Sequence, residues 1–117
     1  MRKHCKSLEL NLAHLVASIV AIEFGVAPRQ IFALTKGSAD CSFARQTSMY
    51  LTHVIFKVKI AGVARAFQRD PSTVSHACQL IEDWRDDHIF DETLCELETI
   101  LRSTLSLSAL QAPIVRY

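Results

Sequence analysis

The chain has 117 residues, half of them hydrophobic, with three glycines and three prolines; it is long enough for one domain with its own core and too apolar for disorder. Its formal net charge is only +1, yet residues 1–69 carry +7 and residues 70–117 carry −6. Four cysteines, Cys5, Cys41, Cys78 and Cys95, stand singly, with no CxxC pair and no Cys/His ladder at zinc spacing, so no metal site or cofactor is expected. The first element is a helix over Leu8–Phe24, where Leu8, Leu12, Leu15, Val16, Ile19 and Val20 recur at helical spacing and Gly25 ends the run. No apolar run is read as long enough for a bilayer, and Met1-Arg2-Lys3 leads into polar positions rather than a signal core. A cytoplasmic, nucleoid-associated protein with no membrane partner is therefore expected.

Pro28 opens a short helix to about Leu34, and Thr35–Ser42 reads as a loop by composition. A third helix runs from Phe43 to about Lys57, with Met49, Tyr50, Val54 and Ile55 inward. Arg45 and Gln46 then fall in its first turn, where backbone N–H groups and the helix dipole favour an anion. A cation is poorly placed there unless it shares a phosphate, so both residues are expected to touch one.

Ile60–Trp84 is the centre of the chain. Ile60, Val63, Ala64 and Phe67 form one apolar helix face; Gln68 and Arg69 break it. Asp70-Pro71 restarts a helix, since the carboxylate accepts a first-turn N–H and proline at the first position has none to lose. Val74, Ala77, Cys78 and Ile81 continue it, which makes Ile60–Trp84 a helix-turn-helix. Asp70, Ser72 and Thr73 at the front of its second helix are short enough to read base edges in a major groove, with Arg69 beside them as a phosphate contact. Alone, the same D-P-S-T reads as a helix cap. His76 either touches phosphate or packs beside the core. A basic half facing phosphate and an acidic half facing away fits the charge split.

The run A-R-A-F-Q-R-D-P-S-T-V-S-H-A-C-x-x-I-E, Ala64–Glu82, resembles the signature of the C-terminal duplex-DNA-binding domain of DnaA. Ala44-Arg45-Gln46 followed by Met49-Tyr50-Leu51 resembles the helix start P-R-Q-x-A-M-Y-L of the same family, and the likeness extends over about residues 10–102. The resemblance implies an all-α, Trp-repressor-like domain with an embedded helix-turn-helix, and double-stranded DNA as partner. It also implies that Lys59, at the start of the first helix of the pair, lies against the sugar–phosphate backbone. Three departures stand out. The loop at 35–42 holds one lysine where the family is rich in Arg and Lys, Gln68 replaces a pair of glycines, and Pro71 replaces the base-contacting histidine.

Beyond Trp84 the chain turns acidic, and Asp91 is expected to cap a last helix with Leu94, Leu97, Ile100 and Leu101 inward. Residues 8–102 make a single core, and 103–117 a tail. The carboxylates read as solvated faces, or as a docking surface for a protein partner. No G-x-x-x-x-G-K-S/T loop and no nucleophile–base constellation occurs, so neither a nucleotide-binding module nor an enzyme is expected, and the chain is not expected to initiate replication alone. An adaptor without DNA affinity, or a helix-turn-helix regulator with another site, are the alternatives to initiator-box recognition.

Overall fold

Six helices follow one another in the computed structural model, which describes the backbone of residues 2–115 and the side chains of residues 7–106. They are α1 (Arg2–Phe24), α2 (Pro28–Ile31), α3 (Ala39–Phe56), α4 (Ile60–Phe67), α5 (Pro71–Trp84) and α6 (His88–Val115), with no strand among the described residues. The protein is all-α, as expected.

Helix α3 is the hub and packs against every other helix. Met49, Leu51 and Ile55 on α3 meet Ala13, Val16 and Val20 of α1, Val63 and Phe67 of α4, and Val74 and Ile81 of α5 in one core. Leu94 and Leu101 of α6 are fully buried in it. Because α3 is covered on so many sides, four of its polar residues, Arg45, Thr47, Ser48 and Thr52, are buried too. The hydroxyls of Thr47, Ser48 and Thr52 donate to the carbonyls four residues back, at 2.9, 2.8 and 2.7 Å, which satisfies them inside the helix.

Helix α1 ends as the sequence predicts. Gly25 takes the left-handed conformation (φ +68°) and the Val26 N–H donates to Ala21 O at 3.1 Å. Ser7–Phe24 does reach the length and apolarity of a membrane span, with a mean hydropathy of 1.4, which corrects the expectation of no such run. In the fold its Ala13, Val16, Ala17 and Val20 face is core. The helix pair is held close to α1 at Gly62, where a Cβ would stand 2.6 Å from Glu9 Oε2. Glu9 in turn accepts from Arg65 Nη2 at 2.9 Å.

Five boundaries differ from expectation: α1 begins at Arg2 rather than Leu8, α2 ends at Ile31 rather than about Leu34, and three others concern α3 and α6. Helix α3 begins at Ala39 rather than Phe43, because Ser38 Oγ accepts the Cys41 N–H (3.2 Å) and Asp40 suits the positive end of the helix. Helix α6 is capped by Asp87, whose Oδ1 accepts the Phe90 N–H at 3.0 Å, and not by Asp91. The segment read as a tail continues α6 as far as Val115.

Candidate nucleic-acid interface

The turn between α4 and α5 is three residues, Gln68–Arg69–Asp70. Gln68 adopts φ +55° and ψ +50°, the left-handed position that glycine fills at no steric cost. The Arg69 N–H closes the turn onto Ala64 O at 3.0 Å. One left-handed residue is enough to reverse the chain here, and that residue is a glutamine.

Asp70 then caps α5. Its Oδ1 accepts the Ser72 N–H at 2.9 Å and the Ser72 hydroxyl at 2.6 Å, and these bonds hold the carboxyl below its ordinary range. Asp70, Pro71, Ser72, Thr73 and His76 are all exposed, on the outer side of a helix whose Val74, Ala77 and Ile81 are buried. The cap and the candidate base-reading surface are thus the same residues. Ser72 gives its proton to Asp70 and keeps acceptor capacity, while Thr73 takes no part in the side-chain cap.

Arg45 is where the structure departs most from expectation. With α3 starting at Ala39, it lies beyond the first turn and points inward, only 5% exposed. Its Nε donates to Ile31 O at 2.6 Å, Nη2 to Gln30 O at 2.9 Å and Thr35 O at 3.4 Å, and Nη1 to Lys36 O at 3.2 Å. The guanidinium fork gathers the carbonyls left open where α2 ends and the loop begins. Burial first, and the charge of Arg69 second, pull its pKa below the ordinary arginine value. The phosphate contact expected of Arg45 is corrected to an internal staple.

Arg69 shares that work. Its Nη2 donates to Ala33 O at 2.7 Å, tying the turn to the same loop, while Nη1 makes longer bonds to Phe67 O (3.3 Å) and Gln68 O (3.4 Å). Two guanidinium groups therefore brace residues 30–36 against the start of α5. The result is a concavity of about 310 Å³ lined by Lys36, Ser42, Gln46, Arg69 and Thr73, with Arg45 in its wall. Gln46, Arg69 and Thr73, far apart in sequence, come together there. Lys36, the single lysine of the loop, joins them and was not singled out beforehand. Lys59, exposed at the start of α4, and His76 lie outside this concavity.

A polar network behind the helix pair also escaped sequence reasoning. Arg85 donates to Asp91 Oδ1 (2.6 Å), Glu98 Oε2 (2.9 Å) and the Tyr50 hydroxyl (3.1 Å), and that hydroxyl donates to Glu82 Oε2 at 2.5 Å. It joins α3, α5 and α6, so part of the acidic half is structural. Bonding to Glu98, ahead of the cost of burial, raises the Arg85 pKa, while burial and then the Glu82 bond push Tyr50 up to about 12.

An all-helical domain with an exposed, capped helix start set beside a cationic concavity is a helix-turn-helix protein. Residues 13–81 match the family model described as bacterial DnaA protein helix-turn-helix, more than half of the chain, and the chain belongs to that family. Among solved structures, one described as the crystal structure of a DNA replication initiation factor is similar to it at a TM-score of 0.75 and 28% identity. The match covers 88% of this chain, which spans only 31% of that structure's length. No curated protein sequence matches the chain.

Proposed function

We propose that this chain binds double-stranded DNA by setting the start of α5 into the major groove, and that it recognises sites of the DnaA-box kind at origins or promoters. The observation that carries the reading is the convergence of Lys36, Gln46 and Arg69 on Thr73 around one concavity. Donors for phosphate stand beside a side chain short enough to meet a base edge, the division of labour that sequence readers use. Membership of the DnaA helix-turn-helix family supports duplex DNA as the partner.

In this account Gln46 and the outward part of Arg69 hold phosphate near the concavity. Lys59 and His76 contact the backbone on either side, and Lys36 takes the place of the family's longer basic loop. Asp70, Ser72 and Thr73 face the bases, with the Thr73 methyl suited to a thymine methyl and Ser72 to a donor. Pro71 contributes shape and no hydrogen bond. Arg45 acts indirectly, by holding the loop that carries Lys36. Occupying initiator boxes would make the chain a regulator of replication initiation associated with the nucleoid.

Thr73→Ala and Gln46→Ala test the division of roles. Thr73→Ala is expected to weaken the preferred duplex by about tenfold while leaving a scrambled duplex unchanged. Gln46→Ala should weaken both alike. Loss of preference from Gln46→Ala, or none from Thr73→Ala, would reverse the assignment. The regulatory role is tested by displacement of a full-length initiator from a box duplex; unaltered initiator occupancy at saturating protein refutes it.

A further inference from the structure

The surface where α5 ends and α6 begins has no task in the reading above. Trp84 is 46% exposed and stands between two concavities. On one side is a groove of about 530 Å³ lined by Phe43, Trp84, Phe90 and Ala39, with Asp40 at its edge. On the other is a shallower one of about 380 Å³ lined by Leu80, Asp83, Asp86 and Asp87. The rings form a cluster: Phe43 lies 5.2 Å from Phe90 and 5.7 Å edge-on from Trp84, between centroids. An indole left half in water over a preformed aromatic bed is the anatomy of an interface anchor.

The charge around it says what fits. Asp40, Asp83, Asp86 and Asp87 are exposed, and no described cation forms an ion pair with any of them. The nearby arginine, Arg85, is held by Asp91 and Glu98. Among the described residues, Lys36 is the one cation that lines the groove. The patch is therefore apolar at its centre and anionic at its rim.

We infer that the Trp84–Phe43–Phe90 groove docks a basic amphipathic helix of a partner protein, its large apolar side chains against the rings and its Lys or Arg residues toward Asp40, Asp83 and Asp86. Such a segment buries the exposed indole and pairs the open carboxylates in one step. Lys36 and Gln46 line both this groove and the candidate DNA concavity, so the docked partner would lie next to the duplex rather than on the far side of the protein.

Trp84 is the single tryptophan, so its fluorescence reports on the groove directly and without DNA. The probe is a synthetic helical peptide with leucine on one face and lysine elsewhere. Its controls are the same peptide with glutamate for lysine, and a lysine/serine peptide without an apolar face. A saturable blue shift with the Lys/Leu peptide alone is expected, weakened about fivefold by Asp83→Asn with Asp86→Asn, as for the loss of two exposed ion pairs. Asp40→Asn, on the opposite edge, provides an independent variant with a smaller loss. Absence of a shift, an equal shift with the Glu/Leu peptide, or an unchanged affinity in both variants overturns the inference. So does a concentration-dependent blue shift of the protein alone with a dimer mass, which would make a second copy the occupant. Failure of DNA binding leaves this result untouched.

Discussion

Replacing Arg45 by lysine separates the two roles a buried arginine beside a DNA surface can have. Lysine keeps the charge but loses the planar fork that reaches four carbonyls, of Gln30, Ile31, Thr35 and Lys36. The two shortest bonds, 2.6 and 2.9 Å, are charge-assisted and largely out of water. At about 1.5 kcal/mol each they amount to about 3 kcal/mol, the expected cost of Arg45→Met. A lysine that recovers one of them halves the loss to about 1.5 kcal/mol. For a domain of this size each kcal/mol moves Tm by about 4 °C, giving drops of about 12 °C for Met and 6 °C for Lys. Thermal denaturation by far-UV circular dichroism reads both. DNA affinity measured well below the lowered Tm should fall modestly for either variant, through loosening of the loop around Lys36. A normal Tm for Arg45→Lys, together with a Met variant that loses affinity and lowers the salt slope by about one, would refute the staple and return Arg45 to the phosphate surface.

Three further outcomes follow from the same geometry. Gln68→Gly relieves a left-handed residue and should stabilise the turn by about 0.5 kcal/mol after the entropy of glycine is subtracted, a rise of about 2 °C; a fall would mean that the glutamine side chain makes a contact that matters. Tyr50 is held neutral up to about 12 in the folded protein against an ordinary value near 10. A raised folded pKa adds stability below pH 10 and loses it progressively as pH rises toward 12, about 3 kcal/mol in all; urea midpoints across that window should fall for the wild type and stay flatter for Tyr50→Phe. Pro71→His puts a ring and donor at the exposed first position of α5, where the backbone N–H needs no helical partner. It should raise preference for a box duplex over a scrambled one by about tenfold, and an unchanged ratio would place Pro71 away from the bases.

What was legible in the sequence was what local chemistry decides. The ends of α4 and α5 follow from the apolar period of Ile60–Phe67 and from Asp70-Pro71, and they stand where they were read. The start of α3 was missed because Ser38 caps without the acidic partner three residues on that would have flagged it; Cys41 stands there instead. That single boundary carried a wrong inference with it, since it put Arg45 in a first turn and suggested a phosphate. The carbonyls that Arg45 binds lie 9 to 15 residues away along the chain, and no spacing rule anticipates them. The Tyr50–Glu82–Arg85–Glu98 network was hidden for the same reason, as it joins three helices. The aromatic cluster had a trace in Trp84 and Phe90 flanking a helix break, but Phe43 enters only through the fold.

The claim that matters most is that α5 reads duplex DNA. Fluorescence anisotropy with a DnaA-box duplex and a scrambled duplex, across a salt series, tests it most directly. With Lys36, Lys59 and Arg69 as the neutralising groups, log affinity should fall with log salt at a slope of about −2.7, so a fourfold rise in salt costs about fortyfold. Tighter binding to the box at every salt concentration is the predicted result. Equal binding to both duplexes would contradict base reading, and no binding to either at low salt would contradict the DNA assignment itself.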